Sequence, residues 1–192
     1  TTEFASSDPS PAVNPWNANH TPGGSSSGSS VAVATGMCTA ALGSQTGGST
    51  CRPAAYNGIV GLKPTYGRIS RHGVVPLSWS LDTVGILVRS VEDAALMLQA
   101  MSGHDPLDPR SATEPVPDFL SQMRNSTHSP VIGLIKDYFF DTSTQEVADH
   151  TEGIAQKLAQ SGAEIREVSL PQSFGSSHAC QRIVSNVEAA AF

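Results

Sequence analysis

The chain has 192 residues, of which 39% are hydrophobic and 15% are charged, and its formal net charge is -6. This balance is typical of a folded globular protein and excludes an intrinsically disordered chain. The basic residues are scattered and form no stripe, which argues against a nucleic-acid partner. No apolar run in the sequence is long enough to cross a bilayer, so we expect no membrane association.

The cysteines and histidines of the sequence limit the kinds of metal and disulfide site that the chain can contain. The three cysteines, Cys38, Cys51 and Cys180, lack CxxC spacing, which argues against disulfides or a zinc site and favours a cytoplasmic protein. There is no HExxH motif, so we expect neither a metal nor a cofactor. The opening residues, TTEFASSDPS, do not resemble a signal peptide. The chain starts without Met and stops inside VEAAAF, so we expect both ends to be truncated.

Small residues dominate the first part of the chain. Residues 1–22 are rich in proline, serine and asparagine and predict an irregular loop. GGSSSGSS (23–30) has the composition of a flexible linker, but it continues into VAVATG, which suits a buried helix ending at Gly36. A second cluster, GSQTGGST (43–50), follows after MCTAAL. Two such clusters around one short apolar segment are more typical of an active site than of a linker.

The rest of the chain alternates strand and helix patterns. Residues 56–62 mix glycine with β-branched residues and predict a buried strand. Ser90 as an N-cap, with Asp93 three residues later, predicts a helix that ends near Gly103. The later predictions are a surface loop over 105–119, a strand over 131–135, an amphipathic helix over 142–160, a strand over 163–170 and a helix over 176–192. This alternation predicts an α/β fold, a mixed β-sheet core flanked by helices.

Amide cleavage needs a nucleophile, a route for its proton and donors for the oxyanion, and serine clusters in glycine-rich turns can supply two of these. Gly47 and Gly48 would let the backbone before Ser49 turn sharply and direct several N–H groups into one concavity. The upstream cluster could bring a second hydroxyl to relay the proton. On composition alone, a Gly/Ser-rich structural turn explains these clusters equally well.

A longer match distinguishes the two interpretations. The sequence NPWNANHTPGGSSSGSSVAVATG…ALGSQTGGSTCRPAAYNGIVGLKPTYGRIS closely resembles the signature of the amidase signature family, and the resemblance continues through RHGVVPLSWSLDTVGILVRSVEDAALMLQAMSG. That family includes fatty-acid amide hydrolases, malonamidases, bacterial nitrile-pathway amidases and the A subunit of the tRNA-dependent amidotransferase. The resemblance implies a partial amidase domain over residues 1–192, with a signature core at about 20–103.

The family works with a Ser–Ser–Lys triad. The resemblance implies that Ser49 is the nucleophile and that Ser25, which follows a cis peptide bond, relays its proton. It further implies an oxyanion hole built by the backbone N–H groups of Thr46, Gly47, Gly48 and Ser49. Family members carry the lysine well upstream of Ser25. The lysines of this chain, Lys63, Lys136 and Lys157, do not match that position, so we expect this fragment to be inactive alone.

Three residues around the predicted triad bear on substrate choice and local structure. Arg52 matches an arginine that binds a substrate carboxylate in malonamidase-like members, and a planar guanidinium suits that task. A structural arginine bonded to nearby carbonyls is an equally good interpretation. Gln45 stands where the family often has aspartate. Asp82, in SLDTVG, is expected to cap a turn.

The resemblance implies an amide hydrolase that cleaves a carboxamide C–N bond through a serine acyl-enzyme and releases a carboxylate with ammonia or an amine. Its partner would be a small-molecule amide. Two alternatives stay open: the A subunit of a tRNA-dependent amidotransferase, which works with other subunits and a tRNA, and a non-catalytic family member that only binds. Gln45 and Arg52 favour a stand-alone amidase, and a homodimer is also compatible with the sequence.

Overall fold

The structure is a computed structural model that describes residues 12–191. The first half of the predicted N-terminal loop, residues 1–11, and the last residue of the predicted C-terminal helix lie outside the described residues. The chain divides into two compact units. The first comprises Thr1–Arg124 together with Ile183–Phe192, and the second comprises Asn125–Arg182.

The first unit is built on a three-stranded antiparallel sheet. Its strand order is β1 (Ala40–Gln45), β3 (Thr83–Val88) and β2 (Val60–Leu62), with β3 in the centre. All six residues of β3 are buried, as expected for a continuous apolar run covered on both faces. The helices of this unit are α1 (Ser27–Ala34), α2 (Cys51–Asn57), α3 (Val91–Met101) and α4 (Phe119–Asn125), the last residue of α4 belonging to the second unit.

Successive residues of β3 pack against different helices because side chains of a strand alternate between its faces. Leu87 is fully buried against Val33 of α1 and Ala54 of α2. Ile86 and Val88 point the other way, into a cluster that also contains Ala94 of α3. The sheet is therefore the support on which α1 and α2, and the loops that precede them, are held.

Most element predictions for this unit are confirmed. Helix α1 ends one residue before Thr35, and Gly36 follows with a φ of 75°. Ser90 caps α3 by accepting a hydrogen bond from the N–H of Asp93. The predicted strand over 56–62 is wrong in its first half. Residues 56 and 57 complete α2, and Gly58, in the left-handed conformation, separates this helix from β2.

The second unit contains a parallel pair of strands, β4 (Val131–Leu134) and β5 (Glu164–Glu167), joined through α5 (Gln145–Gln160). A 3-10 turn (Gln172–Ser176) leads into α6 (Ser177–Ala189), whose residues from Ile183 onward belong to the first unit. The predicted elements are all present but shorter than expected at their ends. The α/β fold class is confirmed, with antiparallel pairing in the first unit and parallel pairing in the second. Among the described residues, no helix is both long and apolar enough to cross a lipid bilayer.

Candidate active site

The two serine clusters meet at the edge of the β1–β3 sheet. One cluster is the loop before α1, and the other is the short connection between β1 and α2. The N–H of Ser26 donates a hydrogen bond to the carbonyl of Ser49 at 3.2 Å, which ties the two loops together. The Gly24–Ser25 peptide bond is cis, as the resemblance implies. Two segments that are distant in the sequence are thus neighbours in the fold.

A cavity of about 130 Å³ opens where the loops meet. Ser25 and Ser49 both line it, and so does Thr46. The remaining wall residues are Ser44, Arg71, Val74, Val75, Leu77, Asp82, Thr83 and Val84. The structure therefore brings the two predicted catalytic serines and one predicted oxyanion-hole residue to a single cavity, half-buried at the surface of the first unit.

The connection between β1 and α2 is held by the side chain of Gln45. Its Oε1 accepts hydrogen bonds from the N–H groups of Thr50 at 3.0 Å and Cys51 at 2.9 Å. Within residues 12–191, the N–H groups of Gly47, Gly48 and Ser49 have no hydrogen-bond acceptor. Gln45 therefore satisfies the donors at the start of α2 and leaves those of the preceding turn available for an acceptor.

A pair of glycines makes room for Thr50 beneath this turn. Gly43 of β1 and Gly85 of β3 face each other in the strand register. A Cβ on Gly85 would lie 2.3 Å from the Oγ1 of Thr50, and one on Gly43 would lie 2.9 Å from the Oγ of Ser26. Thr50 is fully buried there. The sequence analysis did not predict this close packing at Gly43 and Gly85, although glycine inside a strand is a known signal of close backbone approach.

Asp82 connects the cavity wall to Thr46. The N–H groups of Leu77 and Ser78 donate to its Oδ2 at 2.7 and 2.8 Å, which confirms the predicted turn cap. Its Oδ1 accepts a hydrogen bond from the hydroxyl of Thr46. Asp82 is 7% exposed, and the contact is partly buried in the cavity wall. Nothing in the sequence pattern indicated that a residue 36 positions downstream would hold Thr46.

Arg52 contacts the backbone of the first serine cluster. Its Nε and Nη2 donate to the carbonyl oxygen of Gly24 at 3.0 and 2.6 Å. This contact is the one expected of a structural arginine bonded to nearby carbonyls. Arg52 is not among the residues that line the cavity. Its use as a substrate-carboxylate ligand stays a prediction.

None of the three lysines of the chain lines the cavity. Lys63 donates from Nζ to the carbonyl of Pro64 at 2.7 Å. In the part of the chain that the structure describes, no group of three or more His, Cys, Asp or Glu side chains is arranged to hold a metal ion.

Arg71, Val74 and Asp82 line this cavity and also a second one of about 270 Å³. Arg71 is the cationic residue among them. Its Nη1 donates to the carbonyl of Trp79 at 2.8 Å, and its Nε lies 3.9 Å from Oδ2 of Asp108. Burial acts to raise the pKa of Asp108. The N–H groups of Arg71 and Arg110 and the charge of Arg71 outweigh burial and hold that pKa below its usual range.

A family model described as Amidase matches residues 4–191, and the chain belongs to this family. It is 45% identical, over 92% of its length, to the A subunit of the glutamyl-tRNA(Gln) amidotransferase of Syntrophobacter fumaroxidans, of which it spans 36%. Among solved structures, the corresponding A subunit from Thermotoga maritima superposes with a TM-score of 0.86 and 35% identity, over 93% of this chain and 39% of that one. The peptide amidase of Stenotrophomonas maltophilia superposes with a TM-score of 0.81 and 38% identity, over 93% and 37%.

These relatives are named for different activities. The chain spans about a third of the length of the curated relatives it matches, for example 36% and 33%. The family is therefore established, and the activity, substrate and partners of the whole protein are matters for proposal.

Proposed function

We propose that this chain carries the nucleophile and the proton relay of an amide hydrolase, with Ser49 and Ser25 in these roles. The observation that carries the proposal is the single cavity lined by both serines next to a turn whose N–H groups are unpaired within the described residues. An attacking serine needs donors at the developing oxyanion and an acceptor for its proton. Membership of the amidase family supports the same chemistry.

In the proposed reaction, the Oγ of Ser49 attacks the carbonyl carbon of a carboxamide, and its proton passes to the Oγ of Ser25. Ser25 gives up its own proton to a base, which the family resemblance implies is a lysine. The N–H groups of Thr46, Gly47, Gly48 and Ser49 stabilise the negative charge on the former carbonyl oxygen. The tetrahedral intermediate collapses when the nitrogen is protonated and leaves, and water then releases the carboxylate from Ser49.

A fluorophosphonate probe tests the nucleophile on the full enzyme. We expect covalent labelling at Ser49, loss of labelling in Ser49→Ala, and ammonia release from simple carboxamides that falls by several orders of magnitude in the same variant. Ser26→Ala is the matched control, because it removes a neighbouring hydroxyl that does not line the cavity, and labelling at Ser49 should persist. Full turnover in Ser49→Ala would contradict the proposed nucleophile, and an unlabelled wild-type protein would favour a non-catalytic family member.

A second candidate function is that of the A subunit in a glutamyl-tRNA(Gln) amidotransferase. It is favoured by the names of the curated relatives, which are 45–49% identical to this chain. The serine chemistry would be the same, with glutamine as the amide and ammonia passed on to a charged tRNA. Co-purification with partner chains and glutamine-dependent transfer to charged tRNA would support it. Ammonia release from simple amides by the isolated protein, without such transfer, would favour the stand-alone hydrolase.

A further inference from the structure

The carboxylate of Glu188, near the end of α6, is buried against a turn that lies 108–110 positions away in the sequence. The residue is 8% exposed. Its Oε2 accepts hydrogen bonds from the hydroxyl of Ser78 and from the N–H of Ser80, the latter at 3.1 Å. Its Oε1 accepts from the hydroxyl of Ser80 at 2.6 Å. Three donors of one short turn therefore converge on this one carboxylate.

The turn that Glu188 holds also supports Asp82. Ser78 takes part in both contacts, since its hydroxyl donates to Glu188 and its N–H donates to Asp82. Asp82 in turn accepts from the hydroxyl of Thr46 at the cavity. Ser78 is fully buried, so water has no access to replace either bond. Ser78 and Asp82 therefore form a continuous hydrogen-bonded path from Glu188 to Thr46.

The charge state of Glu188 suits this role. Burial acts to raise its pKa, but the hydrogen bonds from Ser78 and Ser80 and the positive charge of Arg110 outweigh it and hold the pKa below its ordinary value. The side chain is ionised at neutral pH and only accepts hydrogen bonds. Both serine hydroxyls must then point their protons towards α6, which fixes the orientation of the turn.

We propose that Glu188 is a positioning residue for the turn 46–49, acting through Ser78 and Asp82 on Thr46. It touches neither Ser25 nor Ser49. Removing the acceptor would leave buried donors unsatisfied, and the turn would move until they found other partners. The structural coupling stands on the hydrogen bonds above, and its effect on catalysis rests on the proposed function.

Amide hydrogen exchange in the full protein tests the coupling without any substrate. Glu188→Ala is expected to speed exchange about tenfold at the N–H groups of Leu77 and Ser78. The same increase is expected at those of Thr50 and Cys51, the hydrogen-bonded N–H groups that directly follow the turn 46–49. Glu188→Gln, which keeps one acceptor oxygen, is expected to fall between Glu188→Ala and wild type. Glu92→Gln is the matched control, because Glu92 is an exposed partner of Arg124 in the same unit.

Two exchange results would overturn the inference. Unchanged protection at Thr50 and Cys51 beside a loss at Leu77 and Ser78 would show that Glu188 holds only its own turn. An equal loss throughout β3 would show a general loss of stability. A kinetic measurement adds the catalytic readout: Glu188→Gln should lower the rate of Ser49 labelling about tenfold with little change in probe affinity. If the wild-type protein is not labelled, the proposed function fails while the exchange result still decides the coupling.

Discussion

The carbonyl oxygen of Gly24 accepts two hydrogen bonds from the guanidinium of Arg52, from Nε at 3.0 Å and from Nη2 at 2.6 Å. Gly24 is the residue before Ser25, so this contact sets the backbone from which the predicted relay serine projects. Arg52 belongs to α2, directly after the turn that carries Ser49. One side chain thus links the placement of both serines.

We predict that Arg52→Lys slows Ser49 labelling by a neutral fluorophosphonate about tenfold, because a lysine cannot reproduce the two-pronged contact with one oxygen. Arg68→Lys is the matched control, since Arg68 also donates to main-chain carbonyls, those of Glu114 and Pro115, outside the cavity. If Arg52 instead binds a substrate carboxylate, labelling by a neutral probe would be unchanged and only the KM for carboxylate-bearing amides would rise.

Gln45 is expected to act as the cap of α2. Gln45→Ala removes the acceptor for the N–H groups of Thr50 and Cys51 and should lower the free energy of unfolding by about 1 kcal/mol. Gln45→Glu keeps an acceptor oxygen and should retain most of the stability. Urea unfolding measures both, with the exposed Gln122→Ala as the control. Equal loss in Gln45→Ala and Gln45→Glu would contradict the capping role.

Gly85→Ala should be among the most damaging small substitutions in the chain. Its Cβ would lie 2.3 Å from Oγ1 and 2.6 Å from Cγ2 of Thr50, so a loss of about 2–3 kcal/mol is expected. Gly153→Ala in α5 is the control, since a Cβ there meets nothing within 4 Å and alanine favours a helix. Thr50→Ala removes the two closest atoms.

The double variant Gly85→Ala/Thr50→Ala is therefore expected to lose less than the sum of the two single variants, as measured by thermal or urea unfolding. Strict additivity would show that the two positions do not compete for the same space.

Acid should destabilise the loop that contains Asp105. A hydrogen bond from the hydroxyl of Ser70 is the largest cause that lowers the pKa of this carboxyl, and one from the N–H of Leu107 lowers the pKa further. A lowered pKa contributes stability that is present above the unfolded-state value and is lost as the pH falls through the folded-state value. We expect unfolding free energies to be level at neutral pH, to fall below about pH 4, and to fall less steeply in Asp105→Asn. An unchanged slope in that variant would contradict this assignment.

Local patterns predicted much of the secondary structure of this chain. The Ser90 capping box and the small-residue clusters work at short range, because caps and turns depend on neighbours within a few residues. The resemblance to the family signature predicted Ser25 and Ser49 as the catalytic serines. The strand predicted over 56–62 was wrong in its first half, because α2 continues to Asn57. The side-chain amide of Asn57 donates hydrogen bonds to Pro22, Pro53 and Ser30.

Other features were decided only by the tertiary structure. Three hydrogen bonds join residues that lie 23, 36 and 110 positions apart in the sequence. They link Ser26 to the carbonyl of Ser49, Thr46 to Asp82, and Ser78 to Glu188. No local preference encodes such pairs, since they arise when the packing of β3 against its helices brings distant turns to one edge of the sheet. The sequence by itself determined the family of this chain and predicted Ser25 and Ser49 as its catalytic residues. Packing decided that both serines line one cavity and that the buried carboxylate of Asp82 contacts Thr46 at its wall.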